Sequence, residues 1–213
     1  MSERHYNFFD KCILFFEQAQ RTVKQDVLAC RISPAKEQKE AVLTAQERKL
    51  SANLLRVDHA GEVCAQALYL GHALAAKNKK IKNHFISAAQ EETDHLVWCA
   101  LRLKELNDHR SYLNPVWYTG SFAMGFLSGL GGEKWNLGFV AETEMQVEAH
   151  LKAHLKLLPE KDEKTKAILL QMKEDEMAHA QRAIEAGGED LPVFIKKTMK
   201  VFSKIMTTLA FYV

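Results

Sequence analysis

Two short stretches of the chain place a histidine three residues after a glutamate, and a lone glutamate precedes each pair by about 30 residues. The six residues are Glu62, Glu92, His95, Glu144, Glu176 and His179. One glutamate from each of two helices, with a Glu-x-x-His from each of two others, is typical of helix bundles that bind two metal ions. Carboxylates and imidazoles are hard oxygen and borderline nitrogen donors, which suit iron or manganese. The sequence therefore predicts a dinuclear metal site.

The predicted site balances its own charge, because two divalent ions offset four carboxylates. Two of these carboxylates could bridge the ions. The symmetric choices are Glu62 with Glu144, or Glu92 with Glu176, and the sequence leaves both open.

Histidines that bind metals usually donate their second N–H to a carboxylate. Asp58, Asp94 and Asp175 are the candidates for this supporting role. Further histidines near the site in sequence are His59, His150 and His154. His150 lies six residues beyond Glu144, so we expect it to be an outer group at most.

Other interpretations of the six residues remain. A structural network of ion pairs would also give buried carboxylates and imidazoles the partners they need. A zinc protease is disfavoured, since neither His95 nor His179 has a histidine four residues before it. Glu142 and Glu148 lie close to Glu144, so the third-helix glutamate is the least certain of the six.

Four helices must position these residues, and apolar residues recur at helical spacing around each of them. We expect the helices at about residues 44–77, 80–106, 134–158 and 162–186. Thr44 and Glu47 form a capping-box pattern at the start of the first, and Gly187 follows the last. Runs of alternating β-branched residues are absent, so the predicted fold is all-α.

Residues 111–132 contain no charged residue, and we expect a long crossover with a short apolar helix. Pro115 and five glycines disfavour a membrane-spanning helix there. The 117–130 segment would either cover the bundle or contact lipid or an apolar substrate.

The last helix, within residues 190–213, carries four lysines and no acidic residue beyond Asp190. A basic amphipathic helix suits an anionic membrane surface, although a terminal helix packed on the bundle is an equal alternative. We expect one domain over 1–213, with a helical extension at 1–43 and the metal-binding bundle at 44–187.

The composition is that of a globular protein, with 47% hydrophobic and 26% charged residues. A formal net charge of +2 argues against nucleic acid as a partner. The four cysteines form no Cys-x-x-Cys pair, and no signal peptide is apparent, so we expect reduced thiols in the cytoplasm.

The stretch Leu55-Arg-Val-Asp-His-Ala-Gly-Glu62 resembles the signature of the demethoxyubiquinone hydroxylases. The similarity continues through residues 90–95, 140–144 and 174–179, and covers roughly 50–213. The first string is long and specific, whereas the Glu-x-x-His pieces alone are not.

The resemblance implies a ferritin-like four-helix bundle in which the same six residues bind two iron ions (Fe²⁺/Fe³⁺). It also implies an O₂-dependent monooxygenase of ubiquinone biosynthesis that hydroxylates a polyprenyl methoxy-methyl-benzoquinol at its last unsubstituted ring carbon. Such an enzyme needs an electron donor. We expect a peripheral protein on the cytoplasmic face of the inner membrane, acting as a homo-oligomer or within a ubiquinone-biosynthesis complex.

Two functions from other classes remain. Iron oxidation for storage, or peroxide detoxification, occurs on the same fold in ferritin and rubrerythrin relatives, and fold alone does not determine function. An apolar crossover is not needed for storage. A membrane-associated interaction protein without metal is the second alternative, and a metal assay separates it from the enzyme.

Overall fold

The computed structural model describes residues 17–22 and 27–213, and the regular structure in these ranges is helical. Residues 17–22 are helical, while the rest of the predicted helix before residue 27 lies outside the described residues. A single 3₁₀ turn spans Pro34–Glu37. The α-helices are α1 (Ala45–Ala75), α2 (Lys79–Glu105), α3 (Asn114–Gly129), α4 (Glu133–Leu157), α5 (Glu163–Glu185) and α6 (Val193–Tyr212).

Local capping signals set the helix ends, which lie close to the predicted ones. The capping box at α1 is present, with the Thr44 side chain accepting from the Glu47 N–H and Glu47 accepting from the Thr44 N–H. Asp162 caps α5, and Gly187 follows it with a φ of +99°. The Ser33 side chain accepts a hydrogen bond from the Ala35 N–H and caps the 3₁₀ turn.

Two helix pairs build the bundle. Short connections join α1 to α2 and α4 to α5, and each pair packs along its length. The crossover helix α3 lies against α1 at Gly71 and Gly125, where a Cβ on Gly125 would fall 2.3 Å from the Leu68 carbonyl oxygen. The last helix α6 crosses α1 and contacts α4. Of the helices described, none has the length and apolar character needed to cross a membrane.

The two largest apolar clusters of the described core lie toward opposite ends of the bundle. One contains Leu55, Trp98, Leu103, Leu169 and Met172. The other contains Tyr69, Phe85, Leu137, Val140 and Ala183. The six predicted ligands come from the helix segments between these clusters, so the bundle places them near its centre, away from water.

Candidate metal centre

The structure brings the six predicted ligands together from α1, α2, α4 and α5, and all six are buried. Their donor atoms form two groups of four, each with all its atoms within 4.8 Å of one another. One group is Glu62, Glu92, His95 and Glu176, and the other is Glu92, Glu144, Glu176 and His179. Glu92 and Glu176 belong to both groups. The geometry therefore favours these two as the bridging pair over Glu62 with Glu144.

The donor atoms of the six side chains converge on the centre of the bundle, and most of them are not paired one to one. The Nδ1 atom of His95 lies 3.4 Å from Glu62, 3.0 Å from Glu92 and 3.2 Å from Glu176. A single N–H cannot donate well to three oxygens. Each of the four glutamates also has one buried oxygen without a hydrogen-bond partner among the described residues. Buried carboxylates in this state need a cation, so the set fits metal ions better than a closed ion-pair network.

The pKa values of the carboxyl groups show the same need for positive charge. Burial raises the pKa of Glu62 and Glu144 well above the usual range, and neighbouring carboxylates raise both further. Burial also raises the pKa of Glu92, but His179 and His95 outweigh it, so the net pKa is low. Without metal the chain must therefore hold protons among these groups. Binding of a metal releases them, which makes metal affinity rise with pH.

Carboxylates from the opposite helix pair orient both histidines. His95 Nε2 lies 2.9 Å from Asp175 on α5, and His179 Nε2 lies 2.9 Å from Glu91 on α2. These contacts leave the two Nδ1 atoms facing the cluster. Asp175 was predicted for this role, whereas Glu91 was missed. Its signal is positional, because Glu91 directly precedes Glu92 as Asp175 precedes Glu176.

The other two predicted supporting aspartates pair elsewhere. Asp94 accepts hydrogen bonds from the Cys30 backbone N–H at 2.6 Å and from Arg31 Nε at 2.7 Å. Asp58 points from α1 toward α4, where its Oδ1 lies 2.8 Å from His154 Nδ1 and 4.0 Å from His150 Nε2. Each aspartate leaves its helix in a direction that takes it away from His95 and His179, which explains why neither supports these histidines. His150 thus contacts the Asp58 carboxylate and belongs to neither group of predicted ligands.

Glu144 is the glutamate of α4, the third helix of the bundle, that joins the cluster. Its Oε1 accepts a hydrogen bond of 2.5 Å from the Tyr69 hydroxyl, a contact that the sequence did not suggest. The neighbouring Glu142 pairs with Lys196 at 3.3 Å, and Glu148 pairs with Lys152 at 2.6 Å. Both alternatives therefore have partners outside the cluster.

An apolar cavity of about 410 Å³ lies between α1, α3, α4 and α6 and reaches the cluster at Glu62. Most of its walls are apolar. The larger lining side chains include Leu68, Trp117, Met124, Phe139, Met199, Phe202 and Met206. Asp58 and His150 contribute polar groups to the same wall as Glu62. The cavity could hold an apolar ring or chain next to one carboxylate of the cluster.

Two helix pairs around a buried carboxylate–histidine cluster define an all-α protein consistent with the ferritin-like bundles, as predicted. The chain belongs to the family described as "Ubiquinone biosynthesis protein COQ7", whose match covers residues 49–210. This confirms the family resemblance.

Relatives named 3-demethoxyubiquinol 3-hydroxylase match nearly the whole chain. The one from Legionella pneumophila (strain Corby) is 52% identical over 212 residues, which are 99% of this chain and 100% of the relative. The one from Polynucleobacter necessarius is 52% identical over 203 residues, 95% of this chain and 97% of the relative. The Acinetobacter baylyi protein is 50% identical over 210 residues, 99% and 100% of the two chains.

Proposed function

We propose that this chain is an O₂-dependent monooxygenase that hydroxylates demethoxyubiquinol in ubiquinone biosynthesis. The observation that carries the proposal is the apolar cavity that ends at Glu62, a member of the carboxylate–histidine cluster. A quinol ring with a polyprenyl tail is apolar along most of its length, which suits these walls. The relatives of similar length support the same substrate class.

We assign two iron ions to the cluster, with Glu62, Glu92, His95, Glu144, Glu176 and His179 as ligands. Glu92 and Glu176 would help to hold both ions, since both belong to each group of donor atoms. The chemistry supplied there would be activation of O₂: one oxygen atom enters the ring and the other leaves as water, with two electrons from an external donor and two protons. The chain itself positions the ring at Glu62 and excludes water from the buried cluster.

The cavity also separates this function from iron storage. A storage or peroxide-reducing site needs access for small ions or for hydrogen peroxide. Neither of these needs an apolar cavity with walls from Trp117, Phe139 and Phe202. An organic substrate does need one, so we favour the hydroxylase.

Lipid extracts from a strain that lacks the protein test this function. We expect demethoxyubiquinone to accumulate and the wild-type chain to restore ubiquinone. The Glu62→Gln variant should fold but leave the precursor in place, because it removes a charge that the metal needs. Glu174→Gln is the matched control, since Glu174 is exposed on α5. Full restoration by Glu62→Gln would argue against its role as a ligand.

We also propose that the protein binds the membrane surface peripherally, on the cytoplasmic face of the inner membrane. Exposed apolar side chains occur on two of the four helices that line the cavity, with Val116 and Leu127 on α3 and Phe194, Val201 and Ile205 on α6. Lys197, Lys200 and Lys204 are exposed on α6 as well. Each lysine near an anionic surface would contribute on the order of 1 kcal/mol.

Because α6 forms part of the cavity wall, deleting residues 193–213 would damage the cavity as well as the surface. A double variant, Val201→Glu with Ile205→Glu, changes two exposed residues outside the cavity lining. We expect it to lose binding to anionic liposomes at least about tenfold, because two charges would enter the apolar interface. The matched control is Ile86→Glu with Leu101→Glu on α2. These two side chains are exposed to a degree similar to that of Val201 and Ile205. Equal loss in both double variants would contradict this membrane face.

The electron donor, and a homo-oligomer or a ubiquinone-biosynthesis complex, remain predictions from the family. The division into a bundle at 44–187, a basic amphipathic helix at 190–213 and an extension at 1–43 stays a prediction from the sequence.

A further inference from the structure

A second set of potential metal ligands lies outside the six-residue cluster. Asp58 on α1 faces His150 and His154 on α4, and the donor atoms of all three lie within 4.8 Å of one another. Asp58 Oδ1 is 2.8 Å from His154 Nδ1 and 4.0 Å from His150 Nε2. The two imidazoles are one helical turn apart, with ring centres 4.0 Å from each other. Two histidines at this spacing and one carboxylate from a facing helix are a common metal-binding set.

The polar atoms of this set are buried and poorly satisfied. Both Asp58 oxygens, His150 Nε2 and His154 Nδ1 lack a well-aligned hydrogen-bond partner among the residues described. The Asp58 carboxylate is completely covered, so water does not solvate it. His154 Nδ1 lies 2.8 Å from Asp58 Oδ1, but this one contact leaves the second carboxylate oxygen and His150 Nε2 without a partner among the described residues. A buried carboxylate in this state is costly unless a cation completes its coordination.

We propose that Asp58, His150 and His154 form an additional metal site that binds one divalent transition-metal ion of the zinc type. The site shares no residue with the six-residue cluster. The His150 side chain is partly exposed and lines the apolar cavity, so remaining coordination positions of the ion would face that cavity. Water, or an oxygen atom of a molecule held in the cavity, would occupy them. Three protein ligands and an open position are typical of zinc sites that act on a bound molecule.

The ionisation of His150 is compatible with this site. Burial lowers its pKa, as do the nearby His154 and Lys204, and together they outweigh the opposite effect of Asp58. The imidazole is therefore neutral at neutral pH, which is the form that binds metals. His154 instead has a raised pKa, because Asp58 outweighs its burial, so a metal ion would compete with a proton for this ring nitrogen.

Metal counting on the purified, iron-loaded protein tests the proposal. Zn²⁺ is added in equivalents, unbound ions are removed, and iron and zinc are measured in the same sample. We expect one zinc ion per chain to bind without loss of iron. His154→Gln and Asp58→Asn should each reduce zinc affinity at least about tenfold while iron is retained, because each removes a ligand. His109→Gln, which changes an exposed histidine, should bind zinc like the wild type.

Three results would overturn the proposal. The first is no zinc uptake beyond the iron. The second is uptake only in exchange for iron, which would place zinc in the six-residue cluster. The third is full uptake by both His154→Gln and Asp58→Asn, which would place zinc elsewhere on the chain. Iron content and helical circular dichroism identify a variant that has not folded, and the other variant then decides. None of these results depends on hydroxylase activity, so the proposed function is tested separately.

Discussion

The two Glu-x-x-His motifs occupy equivalent positions in the bundle but have different surroundings. Behind His95, Asp175 pairs with Arg31 at 2.8 Å, and the Arg31 guanidinium lies 4.8 Å from the Trp98 ring centre. Behind His179, Glu91 pairs with Arg182 at 2.9 Å, and both of these side chains are more than a third exposed. Asp175 is 19% exposed against 38% for Glu91, so the carboxylate behind His95 is the more enclosed, and its arginine partner precedes the bundle in sequence.

The lone glutamates differ in the opposite sense, since the one in the His95 group is the more open. Glu62 lines the apolar cavity, whereas Glu144 is absent from the lining and accepts a hydrogen bond from Tyr69. The near-symmetric ligand set thus has one face toward the cavity and one face closed by the protein. The repeat positions the metal site, and residues outside the repeat determine where a substrate can reach it.

Removing His95 or His179 should have the largest effect of all on iron content. The loss should be the same for both histidines. We expect His95→Ala and His179→Ala each to lose at least one of two iron ions, because each Nδ1 faces its own group of carboxylates. Iron analysis of the purified variants measures this. Near-full iron in the double variant would rule out the di-iron assignment.

Changing the carboxylates that support His95 and His179 should have unequal effects on iron affinity in the two halves of the site. Asp175→Asn should lower iron affinity or hydroxylation by about 10- to 100-fold, the usual effect of losing such a group. Glu91→Gln should have a smaller effect, because Glu91 is more exposed and water can replace it. Iron titrations of both variants test this ranking. A larger loss in Glu91→Gln would reverse our comparison of the two sides.

Removing the Tyr69 hydroxyl should affect stability more than chemistry. In the iron-loaded protein, where Glu144 is charged, Tyr69→Phe leaves one of its buried oxygens without a donor, and hydrogen bonds to charged groups contribute about 1.5–3 kcal/mol. We expect a loss of this size in denaturant unfolding, with hydroxylation largely kept, because Tyr69 lies on the closed face. The control is Tyr112→Phe, at an exposed position, which should unfold like the wild type. A hydroxylation defect without a stability loss would place Tyr69 in the reaction instead.

The smallest effect concerns acid stability. Hydrogen bonds from His179 lower the pKa of Glu91 from 4.5 to about 2, despite its partial burial. A lowered pKa stabilises the folded state above pH 4.5, and that stabilisation is lost as the pH falls toward about 2. In metal-free protein, Glu91→Gln should therefore flatten the decline in stability across this range. Unfolding measured at several pH values tests this, and an unchanged slope would mean that Glu91 is not held in its charged form.

Sequence reasoning was most successful where the signals are local. Thr44 and Glu47 predicted the start of α1, and Gly187 predicted the end of α5, because capping depends on neighbouring residues. Helical periodicity also predicted which glutamates and histidines point inward together.

Contacts between distant segments were harder to predict. Arg31 meets Asp175, and Glu91 meets His179, only because of how the helices are rotated and packed. Asp58 lies one turn before Glu62, yet it points to α4 rather than to the histidines of the cluster. Periodicity gives the face of a helix, but it does not specify which neighbour that face meets.

Helix α6 closes the cavity on one side and presents exposed apolar and basic residues on the other. Under the proposed membrane binding, a substrate that reaches the protein through this surface would never have to dissolve in water. Its effective concentration would then be a mole fraction in the bilayer, and encounter would depend on lateral diffusion in two dimensions. Adding lipid at constant quinol would slow turnover by surface dilution, even though the amount of substrate per volume stays the same.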